Sequence, residues 1–253
     1  MRSRYPSAST FSYSFGPGPL TPAIKALLIA NVAMFVIVAL GGDFGRTVRN
    51  MLGLQPAAIF SDYRLWQPFT YMFLHGGLSH ILFNMLSLWM FGVELERMWG
   101  SRYFLKYYFA AGVGAAITTI LVSLLPVAMF DDVYVALTIG ASGAIYGILL
   151  AYGLYFPNRP IYMYFVFAIP AKYFVMIMGA ISLFLSLGQS GGGIAHITHL
   201  GGLVAGYLYL KGGRVHLVSD IKYRYLKWRI NRMRRKFDVY SGGRADDVDR
   251  RVH

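Results

Sequence analysis

Cysteine is absent from all 253 residues. That excludes disulfides, thiolate metal sites, CxxC redox chemistry and cysteine nucleophiles together. Charge is nearly as scarce. Asp, Glu, Lys and Arg make up 14% of the chain, against roughly 25% in an ordinary soluble domain. Between residues 107 and 210 the only charges are Asp131, Asp132, Arg159 and Lys172. What takes their place is apolar: 56% of the chain is hydrophobic, and mean hydropathy is +0.48. A globule of this length in water has no way to hide that much apolar surface. The composition speaks against a soluble enzyme, and a hundred residues with four charges belong in lipid.

Six apolar stretches follow a polar lead, residues 1–20, rich in Ser, Gly and Pro. They run over 23–42, 77–93, 103–127, 142–155, 171–187 and 194–210. The expected fold is an all-α, polytopic membrane protein with a six-transmembrane-helix bundle over residues 21–212 and a basic tail over 213–253. The first stretch is read as a retained helix. Twenty polar residues precede it, and Gly41-Gly42-Asp43 is no small-residue cleavage site. Residues 65–74 are aromatic but too polar at their start for a simple helix. The fourth stretch is short for a span. The non-helical segment before it is therefore expected to dip into the bilayer, where irregular backbone survives only when protein or a cavity shields it. Residues 161–170 read as an interfacial hairpin or strand.

Lys and Arg outnumber Asp and Glu by 24 to 11, a net charge of +13. Residues 211–253 hold 13 Lys and Arg against 5 Asp, which is +8 of that excess. With the N-terminus inside and six spans, 21 Lys and Arg face the cytoplasm and three (Arg46, Arg49 and Arg64) face out. This agrees with the positive-inside rule. It predicts a multi-pass protein of a bacterial inner membrane with both termini cytoplasmic. The basic tail then rests on an anionic leaflet. Nucleic acid is the rival reading of that tail and is set aside, because electrostatics alone calls for a juxtamembrane basic segment.

Polar side chains inside spans are expensive, so each needs an account. His75, His80 and Asn84 lie at or in the second stretch, Ser142 opens the fourth within Gly140-Ala141-Ser142-Gly143, and His196 and His199 lie in the sixth. All three stretches enter from the outer face, and at 1.5 Å per residue His80, Ser142 and His199 come out at one depth, on the order of 10 Å below the surface. Serine becomes a nucleophile when a base takes its proton, and histidine is the usual base. Ser142 and His199 make a candidate dyad. His80 and Asn84, four residues apart on one helical face, are candidate oxyanion donors. Gly140 and Gly143 allow close backbone approach, and Tyr146, one turn below Ser142, is placed to orient the imidazole. His199, Gly202 and Gly206 share one face of the sixth helix and are expected to pack on Gly143 and Gly147. Competing readings stay open at this point. The small residues suit plain helix packing, and His80 with Asn84 suits interhelical hydrogen bonding. His196-x-x-His199 suits half a metal site, and paired histidines on two spans suit a haem. Against metal stand the absence of HExxH and of carboxylates in the spans. Glu96 and Arg97 read as a helix-end interaction.

These residues resemble the rhomboid family of intramembrane serine proteases, over roughly residues 20–212. GASGAIYG at 140–147 resembles the family's GxSG segment, and HLGGLVAG at 199–206 its HxxGxxxG. HGGLSHILFN at 75–84 is similar to its second-helix motif, and Glu96 to Ser101 to its ExxxGS turn. Four motifs in the family's order are specific where each alone is modest. The resemblance implies Ser142 as nucleophile, His199 as base, and His80, Asn84 and the Gly140 segment around the oxyanion. It implies Tyr146, Gly202 and Gly206 in support. His196 is an extra histidine, and it and His75 have no role assigned. The implied activity is hydrolysis of transmembrane protein substrates with no cofactor and no metal. Substrate would enter sideways by the fifth helix, under the 188–193 loop as a lid. The alternative is a non-catalytic rhomboid-like binder of membrane clients. One departure stands out: where the family often has Trp-Arg in the first outer loop, Trp66 is followed by Gln67.

Overall fold

The computed structural model describes residues 16–127, 130–163, 167–187 and 193–212, with 227, 228 and 232. Among them are ten α-helices, one 3-10 turn (Tyr71–Phe73) and one hairpin. They are α1 (Pro22–Leu40), α2 (Gly42–Leu52), α3 (Pro56–Ser61), α4 (Gln67–Thr70), α5 (Leu78–Trp99), α6 (Ser101–Ser123) and α7 (Asp131–Val135). After these come α8 (Ser142–Tyr155), the strands β1 (Pro160–Met163) and β2 (Phe167–Pro170), α9 (Ala171–Ser186) and α10 (Gly193–Gly212). The strands pair antiparallel, Pro160 opposite Pro170, which is the hairpin expected at 161–170.

Three helices, α1, α5 and α6, are long and apolar enough to cross a membrane. The helices α8 and α9 are apolar but shorter. Burial explains why α8 needs no more length: ten of its 14 residues are buried. It packs against α5, α6 and α9, so it meets protein rather than lipid over most of its surface. The segment ahead of it is extended and shielded, as its shortness implied. Leu54 and Thr138 exchange backbone hydrogen bonds at 2.9 and 2.7 Å, and Gly140 N–H donates to the Tyr71 carbonyl at 3.0 Å.

The second stretch runs further than its apolar residues suggested. Expected to end at 93, it continues as α5 to Trp99, which puts two carboxylates on the helix. Glu94 pairs with Arg159. Glu96 accepts the amides of Ala23 and Ile24 at 2.8 and 2.9 Å and the hydroxyls of Thr21 and Ser101. One carboxylate thus satisfies the N–H groups at the start of α1 and complements its dipole. Arg97 donates to the carbonyls of Pro17 and Pro19, so the end of the polar lead is tied to the same corner.

Four short helices, α2, α3, α4 and α7, were not anticipated. The loop region between α1 and α5 is held by side chains. Arg64, Trp66 and Thr70 donate to the carbonyls of Asn50, Met51 and Leu52 at 3.2, 2.9 and 2.7 Å. These are carbonyls of the last turn of α2, which the helix itself leaves unpaired.

Candidate active site

Ser142 is the first residue of α8 and is only half-buried. The first bond into the helix runs from Ile145 N–H to the Ala141 carbonyl at 3.0 Å. The amides of Ser142, Gly143 and Ala144 therefore precede the ladder, on the positive end of the dipole. The Ser142 hydroxyl and His199 Nε2 on α10 are 2.8 Å apart, a hydrogen-bond distance. The Tyr146 ring lies parallel to the His199 ring, at 4.2 Å between centroids and 7° between planes. Among the described residues His199 Nδ1 has no hydrogen-bond partner, so no carboxylate completes a triad.

The start of α5 approaches the same point. His80 Nδ1 accepts the Gly76 N–H at 3.3 Å. In the neutral ring the proton then sits on Nε2, which makes that nitrogen the donor. Nε2 faces Gly140, where an added Cβ would lie 2.8 Å from it and 3.7 Å from Ser142 Oγ. Gly140 has φ +128°, a conformation that costs any L side chain. Both the backbone angle and the space call for glycine here. Asn84 is buried and donates one Nδ2 hydrogen to the His80 carbonyl at 2.7 Å, leaving the second hydrogen for another acceptor. His75 is buried edge-on to His80, with centroids 5.0 Å apart. His196 is edge-on to His199 at 5.6 Å. Among the described residues no three His, Cys, Asp or Glu are grouped to hold a metal.

The glycine face of α10 meets α8. A Cβ on Gly202 would run into the Gly143 carbonyl, and one on Gly206 would lie 3.1 Å from Gly147 Cα and 2.6 Å from the Tyr107 hydroxyl. Tyr107 in turn donates to the Gly147 carbonyl at 2.6 Å. The structure thus gathers Ser142, His199, Tyr146, His80 and Gly140 at one place, with Asn84 beside His80 and Gly202 and Gly206 at the interface behind them.

The Rhomboid domain family matches residues 62–213. The chain belongs to the rhomboid family. It is 32% identical to Rhomboid protease GluP of Bacillus subtilis over 74% of its own length and 34% of that protein. It is 30% identical to mitochondrial Rhomboid protein 1 of Saccharomyces cerevisiae, over 74% of this chain and 51% of that one. Rhomboid-like protein 16, chloroplastic, of Arabidopsis thaliana is 28% identical over 72% and 59%. The chain spans less than two thirds of the length of these relatives. Family membership and the apolar helices make it an integral membrane protein.

Within this rhomboid domain two residues have partners that the sequence alone did not supply. Gln67 follows Trp66 where the family often has Arg, and it is fully buried. Its Oε1 accepts the Gln55 N–H at 3.0 Å and its Nε2 donates to the Met51 carbonyl at 3.3 Å. The carbonyls that close α2 are thus served by Gln67 together with Arg64. The other residue is Ser182, buried on α9, whose hydroxyl donates to the Tyr146 hydroxyl at 3.1 Å. Its signal was a serine in an otherwise apolar stretch, the same signal that singled out Ser142. The lid expected at 188–193 lies, but for Gly193, outside the described residues.

Proposed function

We propose that this rhomboid-family protein is an intramembrane serine protease, hydrolysing peptide bonds in or near transmembrane segments through an acyl-enzyme on Ser142. The observation that carries the reading is the 2.8 Å approach of Ser142 Oγ to His199 Nε2 at the open end of α8. In the reaction His199 Nε2 takes the hydroxyl proton as Oγ attacks the peptide carbonyl. Charge on the resulting oxyanion is met by the His80 Nε2–H, the free Asn84 hydrogen and the amides at the start of α8. The imidazolium gives its proton to the leaving amine. A water then attacks the ester, its proton passing to His199 and on to Ser142, and the new carboxylate leaves. No cofactor enters these steps.

The proposal extends to the whole chain. In this proposal α1, α5, α6, α8, α9 and α10 all span the bilayer, both termini lie in the cytoplasm of a bacterial cell, and the basic tail rests on the anionic inner leaflet. A substrate of small or helix-weakening residues near the cut approaches sideways from the bilayer. A fluorophosphonate probe tests the chemistry directly. Wild-type protein should be labelled and should cleave a model transmembrane substrate. Ser142→Ala should lose both, and His199→Ala should lose cleavage, with the folded bundle retained in each. Cleavage by Ser142→Ala near the wild-type rate would refute the reading. An unlabelled, inactive wild type would favour the client-binding alternative.

A further inference from the structure

The candidate base is held without a carboxylate, and its orientation has to come from elsewhere. A histidine ring turns about a broad terminal torsion, and His199 Nδ1 has no hydrogen-bond partner among the described residues. Apart from Ser142 itself and the edge of His196 at 5.6 Å, the ring is restrained by Tyr146, parallel to it at 4.2 Å. Stacking restrains tilt only as far as the stacking ring is itself fixed. Tyr146 is one turn into α8, and its hydroxyl reaches the neighbouring helix, where Ser182 Oγ–H donates to it at 3.1 Å.

Ser182 is completely buried, so water does not compete for the bond. Its helix is otherwise turned outward. Ala171, Ser182 and Ser186 are the buried residues of α9, while Leu183, Phe184 and Leu185 are exposed. The one inward hydroxyl in the middle of this helix therefore ends on the ring that covers the candidate base. Ser186, one turn on, differs. It bonds the Leu183 carbonyl of its own helix at 2.7 Å.

We propose that Ser182 is a positioning residue for His199, acting through the Tyr146 hydroxyl, so that α9 sets the geometry of the base. The proposal rests on the Ser142–His199 reading above. A purely structural bond between α8 and α9 would make a different prediction: its loss lowers stability and leaves the rate of the folded enzyme alone. A positioning bond acts on the chemical step, because the base must meet the Ser142 proton within tenths of an ångström.

The test measures kcat and KM on the full chain with a transmembrane substrate, together with the fluorophosphonate labelling rate and the melting temperature. Ser182→Ala should lower kcat and the labelling rate about threefold to tenfold, the scale of one neutral hydrogen bond, with KM unchanged. Tyr146→Phe keeps the stacked ring but removes the same bond from the other side, and should show the same loss. The double variant should be no worse than either single one, because both remove one interaction. Ser182→Thr should recover most of the rate, and Ser186→Ala should stay within about twofold of wild type. If Ser182→Ala does not fold, Tyr146→Phe alone decides. Losses that multiply in the double variant, a rise in KM alone, or a wild-type kcat in Tyr146→Phe would each overturn the proposal. Ser142→Ala separates the two ideas. If it is inactive while both hydroxyl variants run at full rate, the dyad stands and the positioning role falls. If it is active, the dyad reading itself is gone.

Discussion

The proton of a neutral His80 ring sits on Nε2 because a backbone amide occupies the other nitrogen. Gly76 N–H is bound at Nδ1, which leaves Nε2 as the donor on the side that faces Gly140. A donor aimed at developing charge acts on the transition state more than on bound substrate. His80→Ala should therefore lower kcat by about tenfold to a thousandfold and change KM little. The comparison is steady-state kinetics of wild type and variant on one substrate. A raised KM at constant kcat would reassign His80 to substrate binding. Asn84→Ala should act in the same sense but less strongly, since one of its two amide hydrogens is already given to the His80 carbonyl. Gly140 belongs to this scale too. Its positive φ and the nearness of His80 Nε2 exclude a side chain where the oxyanion is expected.

Between elements the decisive contact is α8 on α10. Gly202 and Gly206 occur at i+3 and i+7 from His199, so one face carries both the base and the glycines. The backbone approach they permit is what lets His199 reach Ser142. Gly206 lies about 10 Å along the helix from His199, too far to touch the reacting atoms, yet its Cα region abuts Gly147 and Tyr107. Gly206→Leu should nearly abolish cleavage while the protein still inserts into the membrane, measured as activity per inserted molecule. Leu203→Ala, whose side chain is directed at Gly179 of α9 and not at α8, should be milder. Wild-type activity in Gly206→Leu would mean that α10 is not held to α8 in this way. At the other end of the fold Glu96 plays the corresponding part, joining α5 to the start of α1 and to Ser101 of α6.

At the scale of the whole molecule, the charge distribution and the helix lengths must agree on an orientation. The helices α1, α5 and α6 are long and apolar enough to cross a membrane, and the shorter, largely buried α8 is sheltered among its neighbours. With the N-terminus inside, Asp132 faces out and Arg102 faces the cytoplasm. The absence of cysteine makes this directly measurable, because any single introduced thiol is the only one present. Asp132→Cys should react with an impermeant maleimide in intact cells, and Arg102→Cys only after permeabilisation. Both positions are exposed. The reverse pattern would invert the proposed topology.

The sequence by itself determined what depends on local order. Apolar runs marked the long helices, residues 161–170 read as a hairpin or strand, and helical spacing placed His199, Gly202 and Gly206 on one face. Polar residues stood out at Ser142, His80, Asn84 and His199 because lipid makes each one costly, and the folded chain brings these side chains toward one another. Tertiary structure decided where polar groups find distant partners. α5 runs past residue 93 because Glu96 is satisfied by groups 72 to 75 residues away. Gln67 occupies a place where the family often has Arg because its amide both accepts and donates at the loop closing α2. Nothing in the local sequence links Ser182 to Tyr146, on which its hydroxyl ends. Periodicity reports which side of a helix is apolar. Which acceptor a buried hydroxyl or carboxylate reaches depends on how helices far apart in the chain come to lie together, and only packing supplies that.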